Sequence, residues 1–112
     1  GVAVVDGVRV VSRREFAARV NCFARELISV GVGPESAVAV SVERGVDMLV
    51  AVHAVIVAGG QYVPVAVDAP VERAGYQVES AGVRVVVVSA GDVVPQWVSA
   101  VSGVRVVVVD SS

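Results

Sequence analysis

The chain has no lysine: all nine of its cationic residues are arginines. Schiff-base, P-loop and other lysine chemistry is therefore excluded from these 112 residues. There is one cysteine, Cys22, and one histidine, His53. An internal disulfide is impossible, and the two together fall short of a zinc ligand set. A single cysteine fits a reducing, cytoplasmic setting. Aromatic residues make up only 4% of the chain, and Trp97, Tyr62 and Tyr76 are too scattered for a stacking platform. Basic excess is missing as well. The formal net charge is −2, so nucleic acid is not an expected partner. No charged start leads into a cleavage site, so no signal peptide is expected. The longest nearly continuous apolar run, residues 46–58, falls short of the ~20 residues a membrane helix needs, so no membrane partner is expected either.

What the chain has in excess is valine. Its composition is 55% hydrophobic, with a mean hydropathy of +0.77. A β-branched residue used this heavily packs well on a pleated surface and favours strands. Two apolar runs, Val2–Val5 and Val8–Val11, flank Asp6-Gly7. That dipeptide suits a type I′ turn, so an antiparallel hairpin is expected over residues 2–11. Ser12 with Glu15 three residues on reads as a capping box: the hydroxyl takes the Glu15 amide and the carboxylate reaches back. Phe16, Val20, Phe23, Leu27 and Val30 then form one helical stripe, with Cys22 beside it as a small buried hydrophobe. Gly31 supplies the left-handed stop and Pro34 forbids continuation.

From Ala37 onward the pattern alternates. A strand over Ala37–Val42 is followed by a turn at Glu43-Arg44-Gly45 and a helix over Val46–Ala58, apolar enough to be covered on most sides. Gly59-Gly60 stops it, and Tyr62–Val67 is extended. Pro64 cannot donate to a ladder, which makes that strand short, bent or at an edge. Pro70 suits the start of a third helix with Val71, Ala74, Val78 and Ala81 inward, ended by Gly82. A strand over Arg84–Val88, a weak helix over Val94–Val101 and a strand over Arg105–Val109 complete the series. Each repeat has the length of a parallel crossover, and all-valine strands fit a sheet covered on both faces. The expected fold is α/β: a mainly parallel sheet with flanking helices over residues 37–110, preceded by the hairpin over residues 2–11; the length of residues 1–112 suits one domain or part of one.

The residue types capable of chemistry each have a plainer reading. His53 stands alone in an apolar helix and reads as a structural residue. Gly31-Val32-Gly33 and Gly59-Gly60 follow helices, whereas an anion loop needs amides that open one, so both read as helix stops. Glu43 with Asp47, and Asp68 with Glu72, are four apart, a spacing that could serve acid–base work. Acids at these places complement the dipole of the helix that follows. Ser12 lacks a G-x-S-x-G setting and serves as a cap. No catalytic, cofactor-binding or metal-ligating residue is therefore assigned.

As a string, however, the chain resembles the N-terminal part of an amino-acid adenylation domain of a nonribosomal peptide synthetase. Such domains belong to the adenylate-forming superfamily, with acyl-CoA synthetases and luciferases. Glu15, Arg19, Asn21, Ala24, Arg25, Leu27 and Gly31-Val32-Gly33-Pro34-Glu35 match the family's first core motif and its helix. Ala58, Gly59, Gly60, Tyr62, Val63, Pro64, Asp68, Pro70, Glu72, Arg73, Tyr76, Glu79, Ala81 and Gly82 match the second. The likeness spans residues 2–90 and departs at Arg13, Glu43, Val57 and Ala66. It implies a parent that joins an amino acid to ATP with Mg, releases pyrophosphate, and loads the aminoacyl group on the phosphopantetheine thiol of a carrier protein, beside a condensation domain. The phosphate loop, substrate pocket, magnesium-binding acid and catalytic lysine of that family match nothing here. The resemblance therefore implies a scaffold without cofactor or activity of its own. A self-sufficient non-catalytic α/β binding module and a piece of a fatty-acyl ligase are the alternatives. An open sheet edge beside Val85–Val88 is expected to make the chain self-associate.

Overall fold

The computed structural model describes residues 2–6, 9–43, 45–90 and 93–110. Strands β1 (Val2–Asp6) and β2 (Arg9–Ser12) pair antiparallel, as the sequence leads one to expect, with an irregularity between Val2 and Val4. Gly7 of the expected type I′ turn and Arg44 of the later turn lie outside the described residues. Helix α1 (Arg13–Ser29) starts where Ser12 Oγ accepts from the Glu15 amide at 3.1 Å. Such a cap contributes about 1 kcal/mol. The reciprocal half of the capping box is not made. The Glu15 carboxylate instead accepts from Arg19 one turn on, at 2.6 Å. Val20, Phe23, Ala24 and Leu27 are buried, with Phe16 and Val30 packed partly against them. Cys22 is exposed, contrary to its expected burial: position 22 falls off the side of the stripe. Gly31, at φ +102°, ends the helix.

The remaining strands form one parallel sheet in the order β4-β3-β5-β6, with β3 (Ala37–Ser41), β4 (Gln61–Pro64), β5 (Val85–Ser89) and β6 (Arg105–Val109). Helix α2 (Val46–Val57) carries the chain from β3 outward to β4. Helix α3 (Val71–Ala81) carries it back past β3 to β5 on the other side. Parallel crossovers are right-handed, so this reversal of direction puts α2 and α3 on opposite faces. The two cores show it. Val38, Val40, Val85, Val87, Val107 and Val109 pack with α1 and α2. Ala39, Val86 and Val88, one residue out of phase, pack with Ala74 and Val78 of α3 and with Trp97. Every second valine serves one layer and its neighbour the other, which explains why these strands do not alternate with polar residues.

Several expectations are corrected. The extended stretch after Gly60 is a strand only as far as Pro64 and not to Val67, while the short edge strand that Pro64 predicts is found, at a position where the missing amide costs nothing. Only Ala74 and Val78 of the α3 stripe are buried; Val71 and Ala81, at its two ends, run past the sheet into solvent. The weak fourth helix is a 3₁₀ turn over Gln96–Ala100 that seats a fully buried Trp97. Helix α2 is not covered on most sides, since Leu49, His53, Ile56 and Val57 are exposed along its outer face. Val85–Val88 lies inside the sheet, and the open edges belong to β4 and β6.

Candidate functional site

In an open parallel sheet the place for a ligand is the carboxyl edge, where crossovers leave in opposite directions. Here that place lies between β3 and β5. Two serines end these all-apolar strands: Ser41 and Ser89, both buried. Ser89 Oγ donates to Asp47 Oδ2 at 2.6 Å, tying the end of β5 to the first turn of α2. Gly45 caps α2 without a side chain, so the Asp47 carboxylate is the group that answers the helix dipole. Ser41 Oγ has no partner among the described residues. Beside the end of β3, on the β4 side, a groove of about 680 Å³ is lined by Val42, Glu43, Met48, Ala66, Val67 and Asp68. Its described lining is aliphatic with two carboxylates, a poor bed for phosphate, whose charge it would repel.

The residues singled out in the sequence do not converge. Glu43 and Asp68 share the groove, but Asp47 points to Ser89, and Glu72 sits exposed in the first turn of α3. The amides of the two glycine pairs are taken. Gly31 and Gly59 donate to Ile28 and Ile56 carbonyls, Gly60 to the Val55 carbonyl, and Gly33 to Ser36 Oγ. They close helix ends and present no anion nest. His53 donates through Nδ1 to the Leu49 carbonyl at 2.8 Å, with the Phe16 ring edge-on 5.4 Å away. Tyr62 and Tyr76 are exposed and apart from Trp97 in burial. Among the described residues no three His, Cys, Asp or Glu side chains gather into a metal site, and no helix is long and apolar enough to cross a membrane. Sequence reasoning missed Ser41 and Ser89. Their signal was position: each is the one polar residue closing a run of valine and alanine.

Comparison with known proteins gives this scaffold its family. The model for "AMP-binding enzyme" matches residues 1–112. Gramicidin S synthase 2 of Brevibacillus brevis is 42% identical over 81 residues, covering 72% of this chain and 2% of that protein. Malpibaldin synthetase of Mortierella alpina is 38% identical over 93 residues, 83% of this chain and again 2% of the relative. Among solved structures, the nonribosomal peptide synthetase FmoA3 bound to α-methyl-L-serine-AMP superposes with a TM-score of 0.82 at 26% identity, over 96% of this chain and 12% of that one. The o-succinylbenzoate coenzyme A synthetase of Bacillus subtilis superposes with a TM-score of 0.81 at 18% identity, over 96% of this chain and 28% of that one, a likeness of fold alone. The chain belongs to the AMP-binding, adenylate-forming enzyme family, and it corresponds to a segment of a nonribosomal peptide synthetase adenylation domain. It spans a small fraction of the length of the relatives it matches.

Proposed function

We propose that this chain is the sheet-building scaffold, a single partial domain, of an ATP-dependent adenylating ligase whose substrate is an amino acid. The parent would use ATP and Mg to form an aminoacyl-adenylate and would pass the acyl group to a phosphopantetheine thiol on a carrier protein, in a cytoplasmic assembly that also holds a condensation domain. The observation that carries this reading is the division of labour at the carboxyl edge. There Ser89 and Asp47 brace a strand to a helix, and the amides of Gly31, Gly33, Gly59 and Gly60 close helix ends and turns. Such an edge suits a support onto which reacting groups from elsewhere in the parent are placed. Its role is positional: chemistry needs reacting atoms held in register, and a four-strand parallel sheet packed on both faces is a stiff mount. No residue of this chain is assigned to catalysis, cofactor binding or metal binding.

The test is amino-acid-dependent ATP–pyrophosphate exchange with Mg present, across the common amino acids. The 112-residue chain alone is expected to give none. Supplying it in trans to a related adenylation domain that lacks the matching segment is expected to restore exchange. Exchange by the chain alone would overturn the scaffold reading. Restored exchange with a fatty acid in place of amino acids would overturn the substrate class.

A further inference from the structure

The hydrogen bond between Ser89 and Asp47 lies across the place where the sheet's connections part. The chain leaves β3 for α2 and β4 on one side, and leaves β5 for the 3₁₀ turn and β6 on the other. Backbone pairing shows where the strands separate. Strand β5 runs with β3 only as far as Ser41↔Val88, but with β6 one residue further, to Ser89↔Val109. The Ala90 amide then donates to the Val109 carbonyl at 3.0 Å. The end of β5 therefore goes with β6 and leaves β3, and a crevice opens at the switch point where open parallel sheets take their ligands. At that level Ser89 Oγ reaches Asp47 Oδ2 at 2.6 Å, from the end of β5 to the first turn of α2, the helix that β3 feeds. The two residues are 42 apart in sequence. Strand alternation puts Ser89 with Val85 and Val87 on the side of the sheet that α1 and α2 cover. Ser89 is buried and Asp47 half-buried, so water competes poorly for the bond. Its length is that of a charge-assisted O–H···O⁻ contact.

We propose that Ser89 and Asp47 are a positioning pair for the reaction of the parent, holding the crevice between β3 and β5 at the width at which the reacting groups meet. This rests on the adenylating reading. The pair acts through its neighbours and not on substrate, since the Ser89 proton is already given to the Asp47 carboxylate. Through Ala90 and Val109 the same bond also fixes the end of β6. One side-chain contact thus locks three ends on the rim of the crevice, those of α2, β5 and β6. A misplacement of about 1 Å, even far from the chemistry, can cost on the order of 10²-fold in rate. Substrate binding is spread over many contacts and tolerates such a shift, whereas the transition state does not. Loss of the pair is therefore read in kcat and not in KM. A brace that served only the fold would lower Tm and leave both constants where they were.

The test uses the parent synthetase that carries this segment. Amino-acid-dependent ATP–pyrophosphate exchange is measured at a temperature where far-UV circular dichroism shows each variant folded. Ser89→Ala is expected to lower kcat about tenfold, with KM for amino acid and for ATP within about twofold of wild type. Asp47→Asn keeps an acceptor oxygen without the charge and is expected to lower kcat about threefold, again at unchanged KM. It carries the test alone where Ser89→Ala does not fold. Ser89→Thr keeps the hydroxyl and is expected to keep kcat. The double variant Ser89→Ala/Asp47→Asn is expected to lose no more than Ser89→Ala, because the two residues act as a unit. A wild-type kcat in either single variant overturns the proposal. So does a loss confined to KM, a Ser89→Thr enzyme as slow as Ser89→Ala, or losses that multiply in the double variant. No exchange by the wild-type parent is a separate result, and it overturns the adenylating reading itself.

Discussion

Replacing Gly60 by alanine tests how the central helix is joined to the sheet. Gly60 follows α2 and precedes β4; its amide donates to the Val55 carbonyl at 3.0 Å, and the next amide, of Gln61, donates to the Ser36 carbonyl at 2.8 Å. A methyl at Gly60 would stand 3.1 Å from that same Ser36 oxygen and 3.2 Å from Val32 Cγ1, with Val55 Cγ1 at 3.5 Å. Comfortable carbon contacts begin at about 3.5 Å. None of the three neighbours yields freely. Val32 and Val55 are buried, and Ser36 is held by its amide to the Gly33 carbonyl and by its hydroxyl to the Gly33 amide. Overpacking of this kind costs about 1–3 kcal/mol. Loss of glycine's freedom in the unfolded chain returns about 0.4–1 kcal/mol. Gly60→Ala is therefore expected to destabilise by about 0.5–2 kcal/mol, a fall in Tm of roughly 2–8 °C for a chain of this size. Urea denaturation followed by Trp97 fluorescence, the one tryptophan, measures it. Gly75→Ala is the control of opposite sign. Gly75 lies inside α3 with nothing within 4 Å of the added methyl, so stability should rise by about 0.5–1 kcal/mol. A Gly60→Ala chain as stable as wild type would refute the account of this junction.

Three further outcomes follow from the same structure. Glu35 holds a left-handed backbone at φ +70°, so Glu35→Gly should raise Tm by a few degrees in calorimetry, as relief of ~1–2 kcal/mol of strain outweighs the added freedom of the unfolded chain. Ser89→Ala removes a donor to the Asp47 carboxylate and should cost about 1–2 kcal/mol in urea, whereas Ser41→Ala removes an unpartnered hydroxyl and should be neutral or stabilising. Trp97 is fully buried, so its emission should be blue-shifted and shift red on unfolding, and Trp97→Ala should cost about 3–5 kcal/mol or leave the chain unfolded by circular dichroism.

The sequence carried the fold further than it carried the surface. Period-two valine runs, a serine cap and glycine stops are local signals, and each strand from β3 to β6 lies within a few residues of where they place it. The strand order was not local: nothing in Val85–Ser89 says that it inserts between β3 and β6, because a run apolar on both faces fits any interior position. The same ignorance of neighbours misjudged exposure. Cys22 sits beside its helix's apolar stripe and Val71 at the end of its own, and both would be buried under a wider layer; Ile56 and Val57 are apolar yet face outward, away from α1 and the sheet. Pro64 was readable, since a residue without an amide has few places in a sheet. The Ser89–Asp47 brace was not, because it joins residues from two separate crossovers.

The sheet contains no pairing between consecutive neighbours in hairpin form; β3 sits between β4 and β5, and Val38 meets Val85 only after nearly half the chain has passed. On a ribosome making about 5–20 residues per second, one flank of β3 would stay bare for roughly 2–10 s after it emerges. During that interval a naked stretch of valine and alanine is open to whatever strand is nearest, and co-translational protection of that stretch becomes a condition for the yield of folded protein.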